Sequence, residues 1–220
     1  MNMKNPHAFP VLARSERIAD GVVHGIGVLL AITGAVLLIV FAALGASGAG
    51  MIAALSVYAA ALIATFTASA CYHLIPWQKG RAVLRRIDHA AIYLKIAGTY
   101  TPLVVLIGNG FAYVVLGVVW ALAAIGMIAK LFFWRSPGRL GAWLYLGMGW
   151  LSVALIWSLF PLIPLGASIL IAVGGLLYSS GVIFYSWRNL RFQTAIWHGF
   201  VLVASACFFA AICWGALVLT

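Results

Sequence analysis

The residues of this 220-residue chain that could do chemistry are few and regularly spaced. Its three acids are Glu16, Asp20 and Asp88. Glu16, Asp20 and His24 follow at intervals of four, which places them on one face of a helix. Ser69 and His73 repeat that interval, Asp88 and His89 are adjacent, and His198 follows Gln193 and Thr194. Histidines gathered with a carboxylate resemble a zinc site that keeps one activated water. Neutral imidazole and carboxylate are also the donors that a divalent transition metal takes. Each residue has a plainer reading beside this one. A single His near the end of a membrane span is usually an interfacial polar tip. Asp88 could answer a helix dipole or pair with Arg85 or Arg86. Ser69 could bond back to its own helix, and Glu16 and Asp20 could sit in solvent. The convergence of so many at one depth favours a site.

The elements that must position these residues follow from composition. Hydrophobic residues make up 65% of the chain and charged residues 7%, with a mean hydropathy of +1.14. A soluble domain of this length could not hide so much apolar surface. That excludes a soluble enzyme, a disulfide-rich secreted scaffold and a disordered chain, and predicts an all-α polytopic membrane protein. Apolar runs of crossing length cover 21–44, 51–75, 87–107, 111–133, 140–160, 165–187 and 195–219. Each must be helical, because lipid cannot satisfy open backbone groups. The reading is a cytoplasmic N-terminal segment, 1–20, and a seven-helix transmembrane domain, 21–220.

Charge gives the orientation. Lys4, Arg14 and Arg17 precede span 1. Lys79, Arg81, Arg85 and Arg86 fill the loop after span 2, and Lys130, Arg135 and Arg139 lie at the end of span 4 and beyond. Arg188 and Arg191 follow span 6. The intervening loops, 45–50, 108–110 and 161–164, carry no charge. Every Lys and Arg except Lys95 therefore falls on one side of a seven-span chain, and the positive-inside rule makes that side cytoplasmic. The N-terminus is expected inside and the C-terminus outside, in a bacterial inner membrane. On that topology the acids and the span histidines all open at the cytoplasmic end. Lys95 shares a face with Asp88 and Thr99 and should point into the bundle rather than at lipid. Cys71, Cys207 and Cys213 lie in apolar stretches and read as buried thiols. Trp77, Trp134, Trp143, Trp187 and Trp197 stand near span ends, as an interfacial belt would.

These segments resemble a known family. Glu16-Arg-Ile-Ala-Asp20-Gly-Val-Val-His24-Gly-Ile-Gly, Ser69-Ala-Cys-Tyr-His73, Arg86-Ile-Asp88-His89-Ala-Ala-Ile-Tyr, Ala97-Gly-Thr-Tyr-Thr-Pro102, Gly174-Gly-Leu-Leu-Tyr178 and Ala195-Ile-Trp-His198 occur in order along nearly the whole chain. They resemble the hemolysin III family, the bacterial branch of the progestin and adipoQ receptor (PAQR) proteins, within a wider superfamily that includes alkaline ceramidases. The resemblance implies seven helices and a zinc ion near the cytoplasmic face. It implies that the metal is held by a span 2 His and by two His of a span 7 His-x-x-x-His motif, with a span 3 Asp beside the bound water. Carried over, His73 and His198 match metal ligands, and Asp88 and Ser69 match the catalytic, water-positioning pair. Thr194 stands where the other span 7 His would be. Asp88, Asp20 or His24 could complete the shell, Asp88 being the favoured direct ligand; Glu16, Thr194 and Lys95 join the candidates around it.

Two classes of function compete. One is a zinc-dependent hydrolase acting on a lipid amide or ester, with membrane lipids as partners and no nucleic acid. The other is non-enzymatic: a regulator of membrane fluidity, or a haemolytic, pore-forming protein. A pore wants polar residues through the full thickness, and the outer half here has no acid or His. A retinal photoreceptor wants a Lys on the last helix, and span 7 has none. A transporter would show inverted repeats with broken helices, and none is legible. Two structural expectations follow. Spans 2 and 7 must bring His73 and His198 together, and Asp20 and His24 must face the bundle near Asp88.

Overall fold

The computed structural model describes residues 13–45, 47–133, 140–187 and 189–218. Lys4, Trp134, Arg135, Arg139, Arg188 and the last residue of span 7 lie outside the described residues. The elements run α1 (Arg14–Leu44), α2 (Ala49–Leu74), α3 (Arg81–Ile107), α4 (Gly110–Ile128) with a π-helical end Ala129–Phe133, α5 (Leu140–Trp150), a 3₁₀ turn Leu151–Leu155, α6 (Ile156–Leu159), α7 (Leu165–Ser186) and α8 (Gln193–Val218). Six helices are long and apolar enough to cross a membrane, and a shorter apolar helix, Trp143–Leu159, accompanies them. The chain is a polytopic helical membrane protein, with no strand among the described residues.

Two features of the helices are not visible in the apolar runs. Arg14–Asp20 is continuous with the first crossing, so the segment that was expected to end at residue 20 is helical from Arg14. Its first turn is closed by the Glu16 carboxylate, which accepts the Ala13 amide at 3.0 Å. The fifth crossing is broken: α5 gives way to the 3₁₀ turn before α6 resumes. Tightening from α to 3₁₀ leaves backbone carbonyls wanting a donor in a place without water. The Tyr100 hydroxyl reaches both Met148 O at 2.9 Å and Gly149 O at 2.8 Å.

The packing explains how the site is assembled. α1 buries a single stripe, Asp20, His24, Gly27, Ala31, Ala35, Leu38 and Ala42, at intervals of three or four. Small residues dominate that stripe, so α1 lies close against both α2 and α8. α3 touches α2, α4, α5, α6 and α8 and is the centre of the bundle. Gly98 on α3 faces Ala61 on α2 so closely that a methyl group at Gly98 would lie 2.6 Å from the Ala61 Cβ. α3 ends on Gly108 in the left-handed region, φ 68°, with its amide on Val104 O. Asn109 then caps α4 through Ala112 N at 2.9 Å. This tight reversal needs no charged residue, which is why the loop is so short. Chain alternation places the starts of α1, α3 and α8 and the ends of α2 and α7 at one end of the bundle. Arg14, Arg17, Lys79, Arg81, Arg85, Arg86 and Arg191 are found there.

Candidate metal centre

Three helices deliver one imidazole each to the basic end. His24 lies less than three turns into α1, His73 in the last turn of α2, and His198 in the second turn of α8. Their ring centroids are 4.9 Å (His24–His73), 4.3 Å (His24–His198) and 4.6 Å (His73–His198) apart. One ligating nitrogen from each lies within 4.8 Å of the others. Asp20 sits on the side of all three. Its carboxylate is 3.4 Å from His24 Nδ1, 3.6 Å from His73 Nδ1 and 3.7 Å from His198 Nδ1.

Hydrogen-bond accounting fixes the proton on two of these rings. His24 Nδ1 lies 2.8 Å from Asp20 O, and His198 Nδ1 lies 2.9 Å from Thr194 O, each one helical turn back. A backbone carbonyl can only accept, so both Nδ1 atoms donate and both Nε2 atoms present a lone pair. Both of those lone pairs face one group: Ser69 Oγ is 3.3 Å from His24 Nε2 and 3.3 Å from His198 Nε2. Ser69 has one hydrogen and can satisfy only one of them. Asp20 Oδ1 is buried and accepts no hydrogen bond from any described residue. Two basic lone pairs with one donor between them, and an orphaned carboxylate oxygen behind the rings, leave this place short of positive charge. The donor set suits a divalent transition metal: backbone carbonyls hold Nδ1 of His24 and His198 and leave their Nε2 atoms without a proton, and His73 Nδ1 stands beside the Asp20 carboxylate.

The sequence candidates separate into those that meet here and those that do not. His73, His198 and Ser69 meet, and Asp20 and His24 face the bundle at 3% and 2% exposure. His24, from α1, joins His73 and His198 in a cluster of three imidazoles that could hold a metal ion. The sequence reading favoured Asp88 as the direct ligand. Instead Asp88 lies 3.5 Å from His89 Nδ1 and lines the same cavity as Ser69 and the three imidazoles. Thr194 takes part through its carbonyl, as the acceptor that orients His198. Glu16 is not with the imidazoles. Its second carboxylate oxygen accepts Phe192 N at 3.0 Å, tying the start of α1 to the α7–α8 connection. Phe192 there holds a φ of 60°. Lys95 is buried about two turns further into α3 than Asp88. Sequence reasoning did not single out Ser205, seven residues after His198, which receives the Lys95 ammonium at 2.5 Å. The signal was available in that interval, which returns to the same helix face.

The three imidazoles, Ser69, Asp88 and Lys95 open into one cavity of about 820 Å³, lined mainly by apolar side chains of α3, α5, α6, α7 and α8. Polar groups stand along its α1–α2–α3–α8 wall. Such a volume lies within the range of small-molecule pockets.

The haemolysin-III related family profile matches residues 13–209. The chain is 40% identical to a hemolysin-3 homolog of Bacillus subtilis over 195 residues, 88% of this chain and 91% of that protein. It is 39% identical to hemolysin-3 of Bacillus cereus, covering 88% and 89%. It is 30% identical to the human monocyte to macrophage differentiation factor, covering 71% and 67%. A match along so much of the sequence, carrying the histidine-bearing segments of α1, α2 and α8 with it, means that the chain belongs to the haemolysin-III related family.

Proposed function

We propose that this protein is a zinc-dependent hydrolase of amide or ester bonds in membrane lipids, working at the cytoplasmic end of a bundle in the bacterial inner membrane. The observation that carries the reading is the pair of proton-free Nε2 atoms sharing one serine hydrogen, backed by the orphaned Asp20 oxygen. His24, His73 and His198 would hold the ion. When bound, it would acidify water and polarise the scissile carbonyl.

The remaining steps belong to the chain. Asp20 and the Thr194 carbonyl hold the imidazoles in position. The Ser69 hydroxyl, between two imidazoles, orients the attacking water. Asp88, on the same cavity wall, takes a proton from that water as its oxygen bonds to the carbonyl carbon. It returns the proton to the leaving nitrogen or oxygen as the carbon–heteroatom bond breaks. The apolar cavity takes the acyl chain and excludes bulk water.

The names of the Bacillus relatives speak of haemolysis. The polar groups here gather towards the basic end, whereas the far end of the bundle packs Leu38, Ala42, Met51, Leu55 and Ile212 into an apolar cluster. A continuous aqueous pore would need polar lining through that region.

The test uses purified protein in lipid nanodiscs, assayed for bound metal and for fatty-acid release from an N-acyl sphingoid amide and a lysophospholipid ester. The expected result is one zinc per chain and release that stops on chelation. Asp88→Asn should keep the metal and lose the release. Protein that purifies and reconstitutes without metal, or release untouched by chelation, would overturn the reading.

A further inference from the structure

The cavity has a second polar level. Lys95 follows Asp88 by seven residues on α3, and Ser205 follows His198 by seven on α8, so both lie about 10 Å further along their helices. They meet there. Lys95 Nζ donates to Ser205 Oγ at 2.5 Å, and the Tyr178 hydroxyl reaches the same oxygen at 2.9 Å. Ser205 gives its own hydrogen to Val201 O. Its oxygen is then fully used by Lys95 and Tyr178.

The ammonium is not. It has three hydrogens and one oxygen acceptor among the described residues, and it is 7% exposed. The faces of Phe66 and Tyr178, 5.0 Å and 5.1 Å away, supply only cation–π attraction. No acid is in reach, because Lys95 forms no ion pair among the described residues. The contacts of Glu16, Asp20 and Asp88 lie at the basic end. An ammonium at this depth without a counter-charge is costly, and by default marks a functional position. Lys95, Tyr178 and Phe66 all line the 820 Å³ cavity.

We propose that Lys95, held in place by Ser205 and Tyr178, is a binding site for the oxyanion of a single-chain amphiphile, whose hydrocarbon tail fills the apolar remainder of the cavity. The anion takes the two unused ammonium hydrogens. Carboxylate and phosphate monoester share this chemistry. The site is built without the histidines, so it does not depend on the hydrolase reading.

The test measures binding of decanoate, decyl phosphate and decanol to the protein in nanodiscs, both metal-stripped and zinc-loaded. At least one anion should bind about tenfold or more tightly than decanol, since its bonds are charge-assisted. That preference should survive chelation. Lys95→Met should abolish it while leaving decanol affinity in place, which also reports that the variant is folded. Preference for decanoate alone assigns a carboxylate, and for decyl phosphate alone a phosphate monoester; either supports the site. Preference that persists in Lys95→Met overturns the proposal. So does preference that vanishes on chelation or in His73→Ala, because the anion then sits on the metal. Should Lys95→Met fail to fold, a preference that persists in Lys95→Gln, which keeps a polar end towards Ser205 and removes the charge, overturns it.

Discussion

Replacing Gly98 by alanine should loosen the contact that sets α2 against α3, and with it the candidate centre. The added Cβ would lie 2.6 Å from Ala61 Cβ, 3.6 Å from Val57 O and 3.7 Å from Tyr58 Cα. Carbon atoms in contact ordinarily stand about 3.5–4.0 Å apart, so the overlap with Ala61 is roughly 1 Å or more. Alanine has no rotamer to turn, and the relief must come from the two backbones moving apart. Overpacking of this kind costs about 1–3 kcal/mol. At about 2–4 °C per kcal/mol for a chain of this size, the unfolding midpoint should fall by roughly 2–12 °C. The same displacement separates Ser69 and His73 on α2 from Asp88 on α3, so the proposed proton transfer by Asp88 should slow as well. Gly117→Ala on α4 is the matched control, because nothing lies within 4 Å of its added Cβ; it should melt with the wild type. Thermal unfolding followed by circular dichroism in nanodiscs decides the matter. A Gly98→Ala midpoint equal to the wild type, or an equal fall in Gly117→Ala, would refute the close-contact argument.

His24→Ala should lose bound zinc as completely as His73→Ala or His198→Ala, and adding Thr194→His to it should restore part of the affinity; full zinc in His24→Ala would return the third position to Asp88. Asp20→Asn removes the charge that faces all three Nδ1 atoms and should weaken zinc about 10–100-fold, as loss of outer-shell partners does; an unchanged dissociation constant would count against that role. Glu16→Ala frees Phe192 N and should accelerate amide exchange at Phe192 while leaving Ser205 untouched, as hydrogen-exchange mass spectrometry would show. A reporter fused after Thr220 should be read outside and one placed between Lys79 and Arg81 inside; a cytoplasmic C-terminus would sink the expected topology.

The sequence by itself determined the class of molecule and the level of the site. Composition left no alternative to a membrane bundle, because a lipid-facing helix must be apolar whatever its neighbours are. The four-residue intervals from Asp20 to His24 and from Ser69 to His73 placed those side chains on shared helix faces before any contact was known. Their position at the basic ends of their helices set a common depth. What hydropathy could not show was the break in the fifth crossing. Residues 151–155 are as apolar as their surroundings, and the donor at that level, Tyr100, comes from a different helix. Nor could it choose among Asp88, Asp20 and His24 for the third position. All three open at the same depth, and a helical sequence reports depth and which residues share a face, but not the direction in which that face turns. The rotation of α1 about its axis brings His24 to the other two imidazoles. The small-residue stripe from Gly27 to Ala42 seats α1 against α2 and α8, and the same stripe, continued towards the N-terminus, turns His24 onto His73 and His198. The partners of Glu16 and Lys95 were likewise settled by packing. Phe192 is 176 residues from Glu16 and Ser205 is 110 from Lys95, and no local periodicity spans such separations.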